Sequence, residues 1–186
     1  MVTPAIRIAI TGIESTGKTT LTAALAEALS AETAVEVARY DPRVLKETIE
    51  VSDLTRLAAA QLKACHAAEQ RAQETGKKVV ISDSDSTVIR FWGRWTLRAE
   101  VSGLSKLEEW ADLTLLCAPN IPWEPDPLRS LPNSNDRKQL HQLYVDDLQS
   151  RKDHPWTLID GLTHEKRLEQ SVRAVQYFRD TSVFNG

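Results

Sequence analysis

The chain predicts an α/β fold, a five-stranded parallel sheet with helices on both faces. Two observations carry this. Short apolar runs at Ile6 to Ile10, Thr33 to Val37, Val79 to Ile81, Leu113 to Cys117 and Trp156 to Ile159 alternate with segments of helical periodicity. Polar residues then gather just beyond those runs, at the strand ends where parallel sheets place their ligands.

The first strand, marked by Ile6, Ile8 and Ile10, runs into Gly12-Ile13-Glu14-Ser15-Thr16-Gly17-Lys18-Thr19. Glycine, four residues, Gly-Lys and then Ser or Thr is a phosphate-binding pattern. The helix that follows carries Leu21, Ala24, Leu25, Ala28 and Leu29 at helical spacing. Backbone N–H groups and the positive helix end then converge on one spot that attracts phosphate. Lys18 would neutralise the β- and γ-phosphates, and the Thr19 hydroxyl would ligate Mg²⁺.

The second strand, Thr33 to Val37, leads to Glu36 and Arg39, and Asp41-Pro42 breaks regular structure. Ser52 or Asp53 can cap a long helix with its stripe at Leu54, Leu57, Ala58, Gln61, Cys65, Ala68 and Ala72, closed by Gly76. Val79-Val80-Ile81 is uniformly apolar, as a central parallel strand is. It delivers Asp83 and Asp85 at its end. Asp83 can hold Mg²⁺ or cap the following segment; Asp85 can be that cap or a proton acceptor. Glu36 can equally accept the proton or pair with Arg39. Trp92 and Trp95, three residues apart on the helical stretch Thr87 to Arg98, read as core. A short helix is expected around Leu104 to Trp110.

From Pro119 to Asn135 the texture changes. Five of the eight prolines fall here, so the stretch reads as a functional loop or lid at about residues 119–137 and not as a plain connection. Arg129 and Arg137 flank its end, where a closing loop could bring them to a transferring phosphate. Trp123 can stack on a flat ring or pack. Asp136 can cap the next helix, and Asp160-Gly161 turns the fifth strand into the last one.

A length of 186 residues suits one domain, residues 1–186, and the net charge of −3 gives no reason to expect nucleic acid or an anionic membrane as partner. The apolar runs are strand-sized, and Met1 to Pro4 leaves no room for a signal peptide, so a cytoplasmic protein is expected. Cys65 and Cys117 read as core residues of a reduced compartment. Oligomeric state is not legible. No Asn-Lys-x-Asp guanine reader occurs, which argues against a GTP switch.

Gly12 to Thr20, Glu36 to Tyr40, Asp83-Ser84-Asp85, and above all Pro122-Trp123-Glu124-Pro125-Asp126-Pro127-Leu128-Arg129 with Asp136-Arg137-Lys138 resemble the nicotinamide-riboside (ribosylnicotinamide) kinase domain of NadR-type bacterial proteins, within the P-loop kinase/ATPase family. The similarity runs roughly from Ile6 to Val175. It implies the strand order of nucleoside and nucleotide kinases and transfer of the ATP γ-phosphate to the ribose 5′-hydroxyl of nicotinamide riboside. Glu14, Ser15, Thr16, Gly17, Lys18, Thr19 and Thr20 would bind ATP, Thr19 and Asp83 would hold Mg²⁺, and Arg39, Trp123 and Asp126 would contact the acceptor. Lys18, Glu36, Asp83, Asp85, Arg129 and Arg137 are the expected catalytic set. The nucleotidyltransferase and DNA-binding portions that NadR-type proteins can carry have no counterpart here. The competing expectations are a kinase for another nucleoside-like acceptor and an ATPase or regulatory module acting on a protein partner.

Overall fold

The computed structural model describes residues 4–100, 104, 110–122 and 133–183. Among them five strands form one sheet: β1 (Ile6–Thr11), β2 (Glu32–Ala34), β3 (Val79–Asp83), β4 (Leu113–Cys117) and β5 (Trp156–Ile159). Their order is β2-β3-β1-β4-β5, and every pairing is parallel. The helices are α1 (Lys18–Leu29), α2 (Pro42–Leu45), α3 (Val51–Thr75), α4 (Ser86–Thr96), α5 (Ser134–Ser150) and α6 (His164–Val183). None of them is long and apolar enough to cross a membrane.

The period-2 alternation of each strand sorts its side chains between two helix layers. Ile8, Ile10, Val79, Ile81, Leu113 and Leu115 pack with Leu21, Leu25 and Val175 from α1 and α6. Val80 turns the other way, onto Cys65, Ala68 and Ala72 of α3. Leu116 meets Phe91 of α4 and Leu140 and Tyr144 of α5. Cys65 and Cys117 lie buried in these layers, where desolvation pushes both thiols up to about 11.

Several boundaries differ from the sequence reading. β2 ends at Ala34, three residues before the expected Val37, which instead opens a 3₁₀ turn over Val37–Tyr40. Asp41-Pro42 does not simply break structure; it starts α2, with Pro42 in the first turn and the Asp41 carboxylate accepting from the Arg43 and Val44 N–H groups. Asp53 does not occupy the cap position of α3 but reaches back to the Glu50 N–H at 3.0 Å. The cap of α5 is Asn133, three residues before the expected Asp136. Of the helix expected around Leu104 to Trp110, Leu104 and Trp110 are described, and both are buried.

Candidate functional site

The loop between β1 and α1 sits at the C-terminal edge of the sheet, between β3 and β4. Gly12 has φ 133°, and a Cβ there would stand 2.8 Å from the Cys117 carbonyl, so the chain passes behind β4 only as glycine. Gly17, at φ 76°, releases the loop into α1. Thr16 Oγ1 and Lys18 Nζ both donate to the Ile13 carbonyl, at 2.8 and 2.9 Å, closing the loop on itself. Glu14, Ser15, Thr16, Gly17, Lys18, Thr19 and Thr20 are therefore one continuous rim, with Thr19 and Thr20 exposed on the first turn of α1.

Two buried arginines grip this rim. Arg137 is 5% exposed and donates to the Glu14 carbonyl (2.9 Å) and the Ser15 carbonyl (3.2 Å). It was expected on a lid; because α5 begins at Ser134, it instead occupies the helix's first turn, aimed down at the loop. Arg167 was not anticipated at all. Only 1% exposed, it donates to the carbonyls of Gly161 (2.7 Å), Thr16 (2.5 Å) and Ala118 (2.8 Å), and to Asn120 Oδ1. It ties the phosphate loop to the segments leaving β4 and β5. Burial draws its guanidinium below the ordinary arginine value.

Asp83 ends β3 at 4% exposure, and its Oδ1 has no hydrogen-bond partner among the described residues. Burial pushes its carboxyl up; the Thr19 hydroxyl opposes this, the Glu36 charge adds to it, and Lys18 and Arg39 oppose it more weakly. An unpartnered buried carboxylate oxygen beside the Thr19 hydroxyl is a pair of oxygen ligands that fits a hard divalent cation.

Asp85 caps α4. Its Oδ1 accepts from Thr11 Oγ1 (3.0 Å) and the Val88 N–H (3.2 Å), and its Oδ2 accepts from Thr87 Oγ1 (3.0 Å). Glu36 sits just ahead of the 3₁₀ turn, which brings Arg39 round three residues later; Arg39 Nε donates to its Oε2 at 2.7 Å, and Ser84 Oγ donates to its Oε1 at 3.1 Å. Both alternatives weighed for these carboxylates from sequence thus have their geometry: the cap and the ion pair are present, and both acids line a cavity of about 120 Å³. Its polar end also carries Ser15, Lys18 and Arg39; Val44, Leu57, Val88, Trp92, Trp95 and Tyr144 wall the rest. Trp92 and Trp95 were read as core. They are half-buried, packing on one side and facing the cavity on the other. Trp123, Asp126 and Arg129 of the expected lid lie outside the described residues.

A family model described as an AAA domain (AAA_28) matches residues 7–167. The chain belongs to that family. No curated protein matches this AAA-domain chain. Among solved structures, NadR protein in complex with NR superposes with a TM-score of 0.67 at 22% identity, over 94% of this chain and 51% of that one. NadR protein in complex with NAD and AMP-PNP gives 0.69 at 23%, over 94% and 49%. The chain therefore spans about half the length of these NadR chains. Thymidylate kinase from Ehrlichia chaffeensis gives 0.67 at 16% identity, over 94% of this chain and 100% of its own. At such identities the likeness is one of fold, and the fold is the P-loop kinase fold shared by NadR and the nucleotide kinases, as the sequence reading expected.

Proposed function

We propose that this AAA-domain chain is an ATP-dependent small-molecule kinase whose acceptor is the ribose 5′-hydroxyl of nicotinamide riboside, giving nicotinamide mononucleotide. One observation carries the kinase reading. The phosphate loop opens onto a cavity that holds a carboxylate at its polar end and aromatic rings along its wall, an arrangement suited to a nucleoside-like acceptor beside a triphosphate. NadR in complex with NR shares the fold and supports the choice of acceptor.

In this reading the loop N–H groups and Lys18 hold the β- and γ-phosphates, and Arg137 and Arg167 keep the loop in shape from behind. Thr19 and Asp83 would hold Mg²⁺, which offsets charge on the phosphates. Glu36 is the proton acceptor. Asp85 is tied to the start of α4 through the Val88 N–H as well as Thr11 and Thr87, whereas the two Glu36 oxygens accept from the side chains of Arg39 and Ser84 at the cavity and hold no helix end. As the acceptor oxygen bonds to the γ-phosphorus, the bond from that phosphorus to the β-bridging oxygen breaks, and the hydroxyl proton moves to Glu36.

The second reading is an ATPase module working on a protein partner. One assay separates the two. ADP release is followed with nicotinamide riboside, other nucleosides or none, and the nucleoside product is weighed by mass spectrometry. A monophosphate formed in step with ADP is expected, fastest with nicotinamide riboside. ADP release that ignores every nucleoside overturns the kinase reading.

A further inference from the structure

Gln61 stands in the apolar stripe of α3 at 3% exposure, and both ends of its amide are engaged. Oε1 accepts from the Val37 N–H at 2.9 Å, while Nε2 donates to the Val35 carbonyl at 3.1 Å and to Ser82 Oγ at 3.2 Å. A flipped amide would set a donor against the Val37 N–H, so the backbone partners fix its orientation. Those two backbone groups lie on either side of Glu36. β2 has already ended at Ala34, so the sheet ladder no longer holds this segment, and a side chain from α3 has taken over the ladder's role.

The same cluster reaches the Glu36 side chain. Ser82 Oγ, which accepts from Gln61, donates to the Ser84 carbonyl at 2.6 Å, and Ser84 Oγ donates to Glu36 Oε1 at 3.1 Å. The peptide on both sides of Glu36 and one of its carboxylate oxygens are thus referenced to one buried group. A misplacement of about 1 Å at a reacting centre can cost roughly a hundredfold in rate.

We propose that Gln61 is a positioning residue for proton transfer: it fixes the backbone flanking Glu36 so that the carboxylate meets the acceptor hydroxyl. This rests on the reading of Glu36 as proton acceptor. Gln61 also borders the cavity, so an unchanged acceptor KM is what distinguishes action through Glu36 from direct contact with the acceptor.

The test is a double-mutant cycle on the whole chain, with nicotinamide riboside as acceptor and AMP-PNP as the nucleotide probe. Gln61→Met keeps length and removes both polar ends. It is expected to lower kcat about tenfold or more, with acceptor KM and AMP-PNP affinity within about twofold of wild type. In the Glu36→Gln background the same substitution is expected to add no further loss. Gln61→Glu keeps the acceptor for the Val37 N–H and is expected to fall between wild type and Gln61→Met. Equal losses in both backgrounds, a loss carried by acceptor KM, or full activity overturns the proposal. Should Gln61→Met fail to bind AMP-PNP, the cycle is run with Gln61→Glu under the same criteria. A Glu36→Gln enzyme with wild-type kcat overturns the base assignment itself, whatever Gln61 does, so the two failures are told apart.

Discussion

The two ends of the cleft are built on different principles. The phosphate end is an internal loop between β1 and α1, and its shape is enforced from far along the chain. Arg137 and Arg167 reach its backbone carbonyls across 122 to 151 residues of sequence. The acceptor end includes pieces outside the sheet, the 3₁₀ turn and α2, braced over shorter stretches of sequence: Glu36 with Arg39, Asp41 and Asp53 with Arg43 and Arg56, and Gln61 and Ser84 against the residues around Glu36. Preorganised donors that need not move are what charge stabilisation requires. A wall assembled from short elements can change its contents without disturbing that end. The contrast predicts that substitutions at the phosphate end abolish turnover for every acceptor, while those at the other end alter which acceptor is used and how well.

The largest effect is expected at Asp83 and Lys18. Asp83→Asn and Lys18→Ala should each lower transfer by roughly a hundredfold or more, whatever the nucleoside. Asp83→Asn offers a second readout. Because burial is the main cause raising this carboxyl, replacing it with a neutral amide should leave the melting temperature unchanged or higher. The extra stabilisation that Mg²⁺ gives to the AMP-PNP complex should vanish in the same variant. A variant that keeps its Mg²⁺-dependent shift would remove Asp83 from the metal site.

Next come the buried arginines. Arg167→Met strips hydrogen-bond donors from the Thr16, Ala118 and Gly161 carbonyls and from Asn120. Each buried group left unmet costs about 1–3 kcal/mol. At about 2–4 °C per kcal/mol for a chain of this size, a melting temperature lower by ten degrees or more is expected. Arg137→Met removes its hydrogen bonds to the Glu14 and Ser15 carbonyls of the loop, so its plainest expected effect is a loss of AMP-PNP affinity. Calorimetric melting and titration check both; equal effects would deny the division of labour between them.

These two residues also mark what the sequence could and could not disclose. The strands, the phosphate loop and the strand-end acids are legible because each leaves a local pattern: apolar runs, glycine spacing, an acid where the run stops. Arg137 and Arg167 bind backbone carbonyls, which every residue supplies, so nothing at the partner positions announces the contact. Arg167 had one signal. At helical spacing it shares a face with the small Ser171 and the apolar Val175, both fully buried in the structure. β2 was read three residues too long because Val35 and Val37 continue its alternation. The ladder stops at Ala34, and the groups beyond it are met by Gln61, a residue that reads from sequence as stripe filler. Trp92 and Trp95 read as core because a half-buried ring and a buried one share the same helical spacing.

A smaller effect is expected at that aromatic wall. Trp95→Ala and Trp92→Ala should raise acceptor KM about two- to tenfold, the equivalent of about 0.5–1.5 kcal/mol of ring contact beyond buried area, and leave AMP-PNP affinity alone. Unchanged acceptor KM with lowered stability would make the pair packing residues only.

The smallest effect concerns the ion pairs behind α2, whose Val44 forms part of the cavity wall. The Arg43 guanidinium, the Glu50 N–H and Arg56 hold the Asp53 carboxyl at about 2, against an ordinary value of 3.8. Arg56 likewise lowers Asp41. A carboxyl depressed on folding contributes stability that is fully present above its unfolded value and is lost as pH falls through its folded value. For Asp53 that window runs from about 3.8 down to about 2. The gain is modest because Arg43 and Arg56 are about half exposed, where solvent screens the attraction. Other carboxylates titrate in the same range, so the wild-type melting curve alone does not isolate this pair. The difference in melting temperature between wild type and Asp53→Asn does. It should be constant from neutrality to about pH 4 and shrink steadily toward pH 2, and high salt should reduce it throughout. A difference that stays flat across that window would mean that the carboxylate's charge does not hold α2 against α3, and that hydrogen bonding at the start of α3 accounts for the whole effect.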